Sequence, residues 1–241
     1  MSSNYQGKEL KLFENARNWK AYFKSFFSQY LSGDVLEIGS GVCGTTKILC
    51  TGKEKSWTCL EPDPELVQKS CSLISDGKLP RNCTILAGTL DDITTSKMYD
   101  AILIIDVIEH VEEDEMLISS ALQHLRPKGK LVVLVPAHQW LFSPFDKAIG
   151  HLRRYNKNMI KQIIPRYLTQ IKLLYLDSAG LCASLANRLL LKQSYPGKKQ
   201  IYIWDTWIVG LSKLTDPLLI YKVGKSLLGI WEKPKPVHSN D

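Results

Sequence analysis

The run Val35-Leu36-Glu37-Ile38-Gly39-Ser40-Gly41-Val42-Cys43-Gly44-Thr45-Thr46 constrains the fold more than any other part of the chain. It reads as an apolar buried strand, an acid, a glycine turn and the start of a helix. Gly39, Gly41 and Gly44 follow the G-x-G-x-x-G spacing, in which missing side chains let the backbone approach a nucleotide-like ligand. Twenty-two residues after Gly39 a second strand-like run, Ser56 to Leu60, ends in Glu61, an acid placed to accept hydrogen bonds from two ribose hydroxyls.

From Asp34 onward short apolar runs alternate with helical spacing, the pattern of a doubly wound sheet. Strands are expected near 34–38, 56–60, 83–87, 99–105, 130–135, 170–176 and 225–232, and helices near 43–51, 64–76, 113–126 and 156–166. The runs Tyr99–Asp106 and Lys130–Pro136 are too uniformly apolar for an edge and read as central parallel strands. Residues 8–31 carry apolar and aromatic side chains, from Leu10 and Phe13 through Trp19 and Phe23 to Phe27 and Tyr30, at spacings near three and four, which predicts one amphipathic helix ending near Gly33. Its aromatic face reads as core packing, or as a lid over the ligand. Residues 177–224 exceed a minimal fold of this kind and read as a helical insertion on the substrate side. The tail after Glu232 reads as frayed.

The bulk numbers exclude several classes. A chain of 241 residues can bury a full core without staples. No stretch approaches the length of a membrane span, and Met1 to Gln6 lacks the layout of a signal peptide. The six cysteines (43, 50, 59, 71, 83 and 182) form no C-x-x-C pair and read as reduced residues of a cytoplasmic protein. The net charge of +7 is uneven: residues 150–241 hold 15 lysines and arginines against 5 acids. Such a segment attracts an anionic substrate, an acidic membrane face or nucleic acid, or is simply a solvated lysine-rich surface.

Glu37-Ile-Gly-Ser-Gly-Val-Cys-Gly44 resembles the first motif of class I S-adenosylmethionine-dependent methyltransferases, and Leu60-Glu61-Pro62-Asp63 resembles their second. The resemblance implies an α/β, Rossmann-like, seven-stranded and mostly parallel sheet with an antiparallel last strand. Helices would cover both faces, with the insertion before the last strand. The expected layout is one methyltransferase domain, 1–241: a helical cap (1–33), a cofactor-binding core (34–136), a substrate loop (137–155) and the insertion (177–224). The implied cofactor is S-adenosyl-L-methionine, with S-adenosyl-L-homocysteine as product. Gly39, Ser40, Gly41 and Gly44 would meet its methionine portion, with Glu37 near the ammonium group. Glu61 would hold the ribose, and Pro62, Asp63 and Leu66 would lie beside the adenosine. Many family members have Gly-Asp after strand three; here Thr89 replaces the acid, leaving the Leu90 N–H or Asp91 to meet the base.

Asp106-Val107-Ile-Glu109-His110 resembles the "D-V-L-E-H" segment of small-molecule methyltransferases. There Asp106 and Val107 would border the sulfonium and His110 would face the substrate. A helix-start reading of Glu109 and His110 stands beside this one. His138, Trp140, Asp146, His151, Arg153, Arg154 and Tyr155 fall within 18 residues and resemble a bacterial subgroup found beside glycosyltransferases and saccharide-biosynthesis enzymes. His138 or His151 is the expected base, oriented by Asp146. His110, Trp140, Arg153, Arg154 and Tyr155 are the expected substrate contacts, the arginines clamping a carboxylate or phosphate. A purely structural network of Asp146, His151 and Arg153 is the other reading.

The expected activity is O- or N-methylation of a small-molecule or saccharide or lipid-linked acceptor, anionic in one version, with a peripheral membrane contact. The alternatives are a nucleic-acid (RNA) methyltransferase, a non-catalytic cofactor-binding protein and, last, a nicotinamide oxidoreductase. No "[D/N/S]-P-P-[Y/F]" segment follows strand four, so nucleic acid is not expected as a partner. Glu37 would repel a pyrophosphate. No metal is expected, because the segment after strand five offers only Asp146 as an acid.

Overall fold

The computed structural model describes residues 8–186 and 196–236. Among these residues seven strands form one sheet: β1 (Asp34–Ile38), β2 (Ser56–Glu61), β3 (Cys83–Ala87), β4 (Tyr99–Ile105), β5 (Leu125–Pro136), β6 (Thr169–Leu176) and β7 (Ser226–Glu232). Their order is β3-β2-β1-β4-β5-β7-β6. The first five are parallel, and β7 runs antiparallel to both β5 and β6. The chain order reverses beside β1, so a crevice opens between β1 and β4 at their C-terminal ends, where sheets of this kind bind ligands.

The helices are α1 (Lys8–Phe13), α2 (Arg17–Lys24), α3 (Thr46–Leu49), α4 (Pro64–Ser75), α5 (Asp114–Gln123), α6 (Pro144–Ala148), α7 (Lys157–Ile163), α8 (Ser178–Ala186), α9 (Lys198–Ile203) and α10 (Val209–Leu218). A π-helical turn over Trp204–Ile208 joins α9 to α10. The central strands are apolar on both faces because both are covered. Leu36, Ile38, Ile102, Ile104 and Val133 pack under α5 and α7 with Ile118, Leu122 and Ile160. Val35, Trp57, Leu103, Val132 and Leu134 pack on the other face, with Trp19, Phe23 and Phe27 from the N-terminal segment and Trp204 and Val209 from the insertion.

Two sequence expectations are corrected. The single helix over 8–31 is three pieces: α1, α2 and a short 3₁₀ turn at Ser28–Tyr30. Buried polar groups hold the first break. The Lys20 ammonium lies 3.0 Å from each of the Phe13, Glu14 and Gly44 carbonyls, and the Asp205 carboxylate accepts the Asn18 and Trp19 N–H groups. Carbonyls left open at the end of α1 and amides left open at the start of α2 are thereby satisfied from afar. Strand β5 also starts earlier than expected: Leu125 pairs with Tyr99, a bulge follows, and pairing resumes at Lys130 with Ala101.

The described part of the insertion is helical and is tied down by acids. Asp177 accepts from Gly180 N, Ser212 Oγ and Trp204 Nε1, and Asp216 accepts from Tyr22 Oη, Asp177 N and Ser178 N. The central stretch of the expected insertion, 187–195, lies outside the described residues, as do 1–7 of the expected cap and 237–241 of the expected tail.

Candidate functional site

A cavity of about 2140 Å³ occupies the crevice, larger than the ~300–1,000 Å³ of a typical small-molecule site. One end is the glycine turn after β1. Gly39 and Gly41 have φ of +67° and +56°, and a Cβ on Gly39 would stand 2.6 Å from Val107 Cγ2. Any side chain there would collide with the segment after β4, so the close approach of the two turns requires glycine. The Gly39 and Ser40 amides donate to the Leu60 carbonyl at 2.8 and 3.1 Å, which fastens the turn to β2.

Glu61 stands beside this turn. One carboxylate oxygen accepts the Gly41 N–H at 2.8 Å and the other the Asp63 N–H at 3.0 Å. Burial raises its pKa. Asp63 caps α4 through the Glu65 and Leu66 amides, and Pro62, Asp63 and Leu66 line the cavity. Glu37 is buried at the base, where one oxygen accepts from Thr46 Oγ1 at 2.7 Å and from Trp57 Nε1 at 2.9 Å. Burial pushes its carboxyl up to about 7. Lys20, brought down to about 8 chiefly by burial, also lines the cavity with Gly44. Sequence reading missed Lys20 because nothing marks it within an amphipathic helix. Thr89 and Leu90 do not line the cavity: Thr89 forms a capping box with Asp92, and Leu90 is buried in the core.

The other end is built by the segment after β4 and the 137–155 loop. Asp106 has φ +53°, a conformation acids adopt more readily than most residues. Its side chain is open to the cavity yet walled in by protein, and this burial raises its pKa to about 6. The loop is closed at its neck, where His138 N–H donates to the Tyr155 carbonyl and Tyr155 N–H to that of Pro136. It is bound to the β4 segment by Leu152 N–H on the Glu109 carbonyl.

Asp146 organises the loop from within. It is fully buried and accepts from Ser143 N and Oγ, from His151 Nδ1 at 2.9 Å, and from Arg154 Nε and Nη2. Burial works against its charge, but the His151 and Arg154 hydrogen bonds win and hold its carboxyl well below the usual range. His151, His110 and Arg154 line the cavity. Burial and His151 bring His110 down to about 4, so its ring is neutral near pH 7.

The remaining expected contacts turn elsewhere. His138, at φ +66°, shares a hydrogen bond with the Gly224 carbonyl through Nε2 and stacks on Tyr175. Trp140 packs beside it. Arg153 and Tyr155 Oη both bond Asp114 Oδ2, at 2.9 and 2.7 Å. These four side chains fix the loop and do not line the cavity. Of the two expected bases, only His151 faces the crevice. Lys225 was also missed: it enters the cavity from the start of β7, paired with Asp177 at 3.2 Å and lying 4.0 Å over the Trp204 ring.

The glycine end suits a nucleoside with an ammonium group. Backbone can approach closely, Ser40 Oγ is buried without a partner among the described residues, and two acids, Glu37 and Glu61, line this end beside Lys20, whose ammonium is already held by three carbonyls.

Residues 36–131 match the family model described as a methyltransferase domain. The chain is 33% identical over 48 residues to the ubiquinone biosynthesis O-methyltransferase of Rickettsia canadensis (strain McKiel), a stretch covering 20% of each protein. Matches to curated relatives thus span about a fifth of their length. Among solved structures the fold is similar to N-methyltransferase NodS from Bradyrhizobium japonicum WM9, in complex with S-adenosyl-L-homocysteine. That likeness has a TM-score of 0.60 at 16% identity and covers 97% of this chain and 100% of that one. A phosphoethanolamine N-methyltransferase 2 from Haemonchus contortus gives a TM-score of 0.64 at 15% identity, covering 97% of this chain and 58% of that one.

Proposed function

We propose, from the match of residues 36–131 to a methyltransferase-domain model and the likeness of fold to N-methyltransferase NodS, that the protein is an S-adenosylmethionine-dependent methyltransferase of a small-molecule acceptor. One observation carries this reading: a single cavity runs from the Gly39–Gly41 turn to the His110–His151 pair. Cofactor and acceptor can therefore meet within one cavity.

S-adenosylmethionine supplies a methyl group on a sulfonium, already a good electrophile, so alignment with the acceptor contributes most of the rate. In this reading Glu61 accepts from the ribose diol with the lone pairs left by Gly41 and Asp63. Glu37, at the base of the glycine turn, faces the ammonium group. Asp106 and Val107 border the reacting centre. His151, its Nδ1 proton held by Asp146, turns Nε2 toward the acceptor and takes its proton, a contribution of ~10²–10⁴-fold for a hydroxyl. Arg154 and Lys225 give that end a positive field for an anionic or saccharide-linked acceptor.

The insertion supports a membrane-facing acceptor. Ile203, Trp207, Leu211, Leu214 and Leu218 form an exposed stripe at helical spacing, and Ile203 also lines the cavity. Exposed Lys198, Lys199, Lys213 and Lys222 accompany it. Among the described residues no helix is long and apolar enough to cross a membrane. We read the protein as a cytoplasmic enzyme that touches a lipid surface with this face.

Calorimetric titration with S-adenosylhomocysteine tests the activity class. Wild-type protein should bind it in the micromolar range, and Glu61→Ala should weaken binding by at least about tenfold, the loss of one charge-assisted hydrogen bond. A folded protein that does not bind it contradicts the reading.

A further inference from the structure

Glu109 is wholly buried on the turn after β4, yet neither oxygen of its carboxylate has a hydrogen-bond partner among the described residues. A buried carboxylate without donors costs free energy. What faces it instead is a pair of imidazoles. His151 Nε2 lies 3.8 Å from Glu109 Oε1, and ligand-type atoms of Glu109, His110 and His151 all lie within 4.8 Å of one another. The two rings meet edge to face at 4.7 Å.

Each histidine is held by its other nitrogen. His151 Nδ1 bonds Asp146 Oδ1 at 2.9 Å, and His110 Nδ1 bonds the Gly150 carbonyl at 3.2 Å. Both acceptors lack protons to give, so each Nδ1 is the protonated nitrogen, and it is Nε2 that carries the lone pair of the neutral ring. Imidazoles anchored in this way, with Nε2 presented beside a carboxylate, are how proteins hold metal ligands. The Asp146–Arg154–Ser143 network is then the outer support that aims His151.

We propose that Glu109, His110 and His151 bind a divalent transition-metal cation at the acceptor end of the cavity. Two imidazoles and one carboxylate favour ions such as zinc, cobalt or manganese over magnesium or calcium. Ligand bonds of about 2.0–2.2 Å require the three donors to close in by roughly 1 Å. His110 and His151 line the cavity. The expectation of no metal considered acids after strand five; the site instead joins residues 41 positions apart, which only the fold brings together.

The role of the cation rests on the methyltransferase reading. A hydroxyl of the acceptor bound to the cation loses its proton to water in the cavity. Its oxygen then forms the bond to the methyl carbon as the carbon–sulfur bond breaks, with the electron pair left on sulfur. A metal-bound amine has no lone pair left for attack, so the site selects oxygen acceptors. His151 Nε2 is then a ligand and no longer the base, since both roles use one lone pair.

Titration of the chelator-treated full chain with Co²⁺, followed by visible absorption, tests the site beside a separate titration with S-adenosylhomocysteine. Wild-type protein should take up one equivalent of Co²⁺. Glu109→Gln and His151→Asn should each weaken uptake by at least about tenfold while still binding S-adenosylhomocysteine, which shows that they are folded. A wild type that binds S-adenosylhomocysteine but no Co²⁺ overturns the metal site and leaves the methyltransferase reading intact. Equal uptake by wild type and both variants places the cation elsewhere and also overturns the site. Uptake lost in the variants, by a protein that never binds S-adenosylhomocysteine, supports the site and removes the methyltransferase reading.

Discussion

At the scale of single residues, Glu37 offers the sharpest consequence. Burial sets its pKa near 7 in the free protein, above its unfolded value. Its protonated form therefore favours the fold, a contribution fully present below the unfolded pKa and lost as pH rises through 7. A ligand ammonium group beside it reverses that preference and favours the ionised form. Binding of S-adenosylhomocysteine should then weaken by up to about tenfold per pH unit below 7 and take up no proton dependence above about pH 8. Calorimetry across that range checks it; Glu37→Gln should flatten the profile, and a wild-type profile already flat would contradict the role. The acids at Glu37 and Glu61 were legible in the sequence because Glu37 lies in an apolar strand two residues before the glycine turn and Glu61 ends the next one. The duties of Arg153, Arg154 and Tyr155 were less so. Their residue types suit a substrate clamp, yet Arg153 and Tyr155 bond Asp114 and Arg154 bonds Asp146, and such partners are set by tertiary contact.

At the scale of elements, the strands followed from local pattern because runs such as Ala101–Ile105 and Leu131–Val135 are buried on both faces. The N-terminal break was hidden, since the 3.6-residue spacing continues through it. What stops the helix is Asp205, nearly 190 residues away, whose carboxylate suits the amides of α2 better than another turn would. The insertion illustrates the reverse. Trp204, Trp207, Ile208 and Leu211 share near-helical spacing in the sequence, but the π-helical turn divides that set. Trp204 turns inward onto Asp177, while Trp207 is 71% exposed. An exposed stripe of this size with lysines beside it suits the boundary of an anionic bilayer. Co-sedimentation with vesicles containing phosphatidylserine should therefore pull the protein down. Trp207→Glu with Leu211→Glu should leave it in solution with S-adenosylhomocysteine binding intact. Wild-type protein that stays in solution would contradict the contact.

At the scale of the whole molecule, sheet order and the location of the crevice follow from a rule that sequence can reach: parallel strands with right-handed crossovers put their loops on one side. The glycine turn, the β2 acid and the β4 turn therefore had to converge. The distance between that centre and each histidine could not be read in the same way. The 137–155 loop folds on its own buried Asp146, and its closure decides that His151 faces the cavity while His138 does not. Hydrogen exchange with and without S-adenosylhomocysteine tests the central claim that the β1–β4 crevice is the cofactor site of a methyltransferase. The expected result is slowed exchange at amides 39–46 and 61–66, with those of β6 and β7 unchanged. Exchange unaltered at saturating ligand, or slowed only outside the crevice, would contradict it.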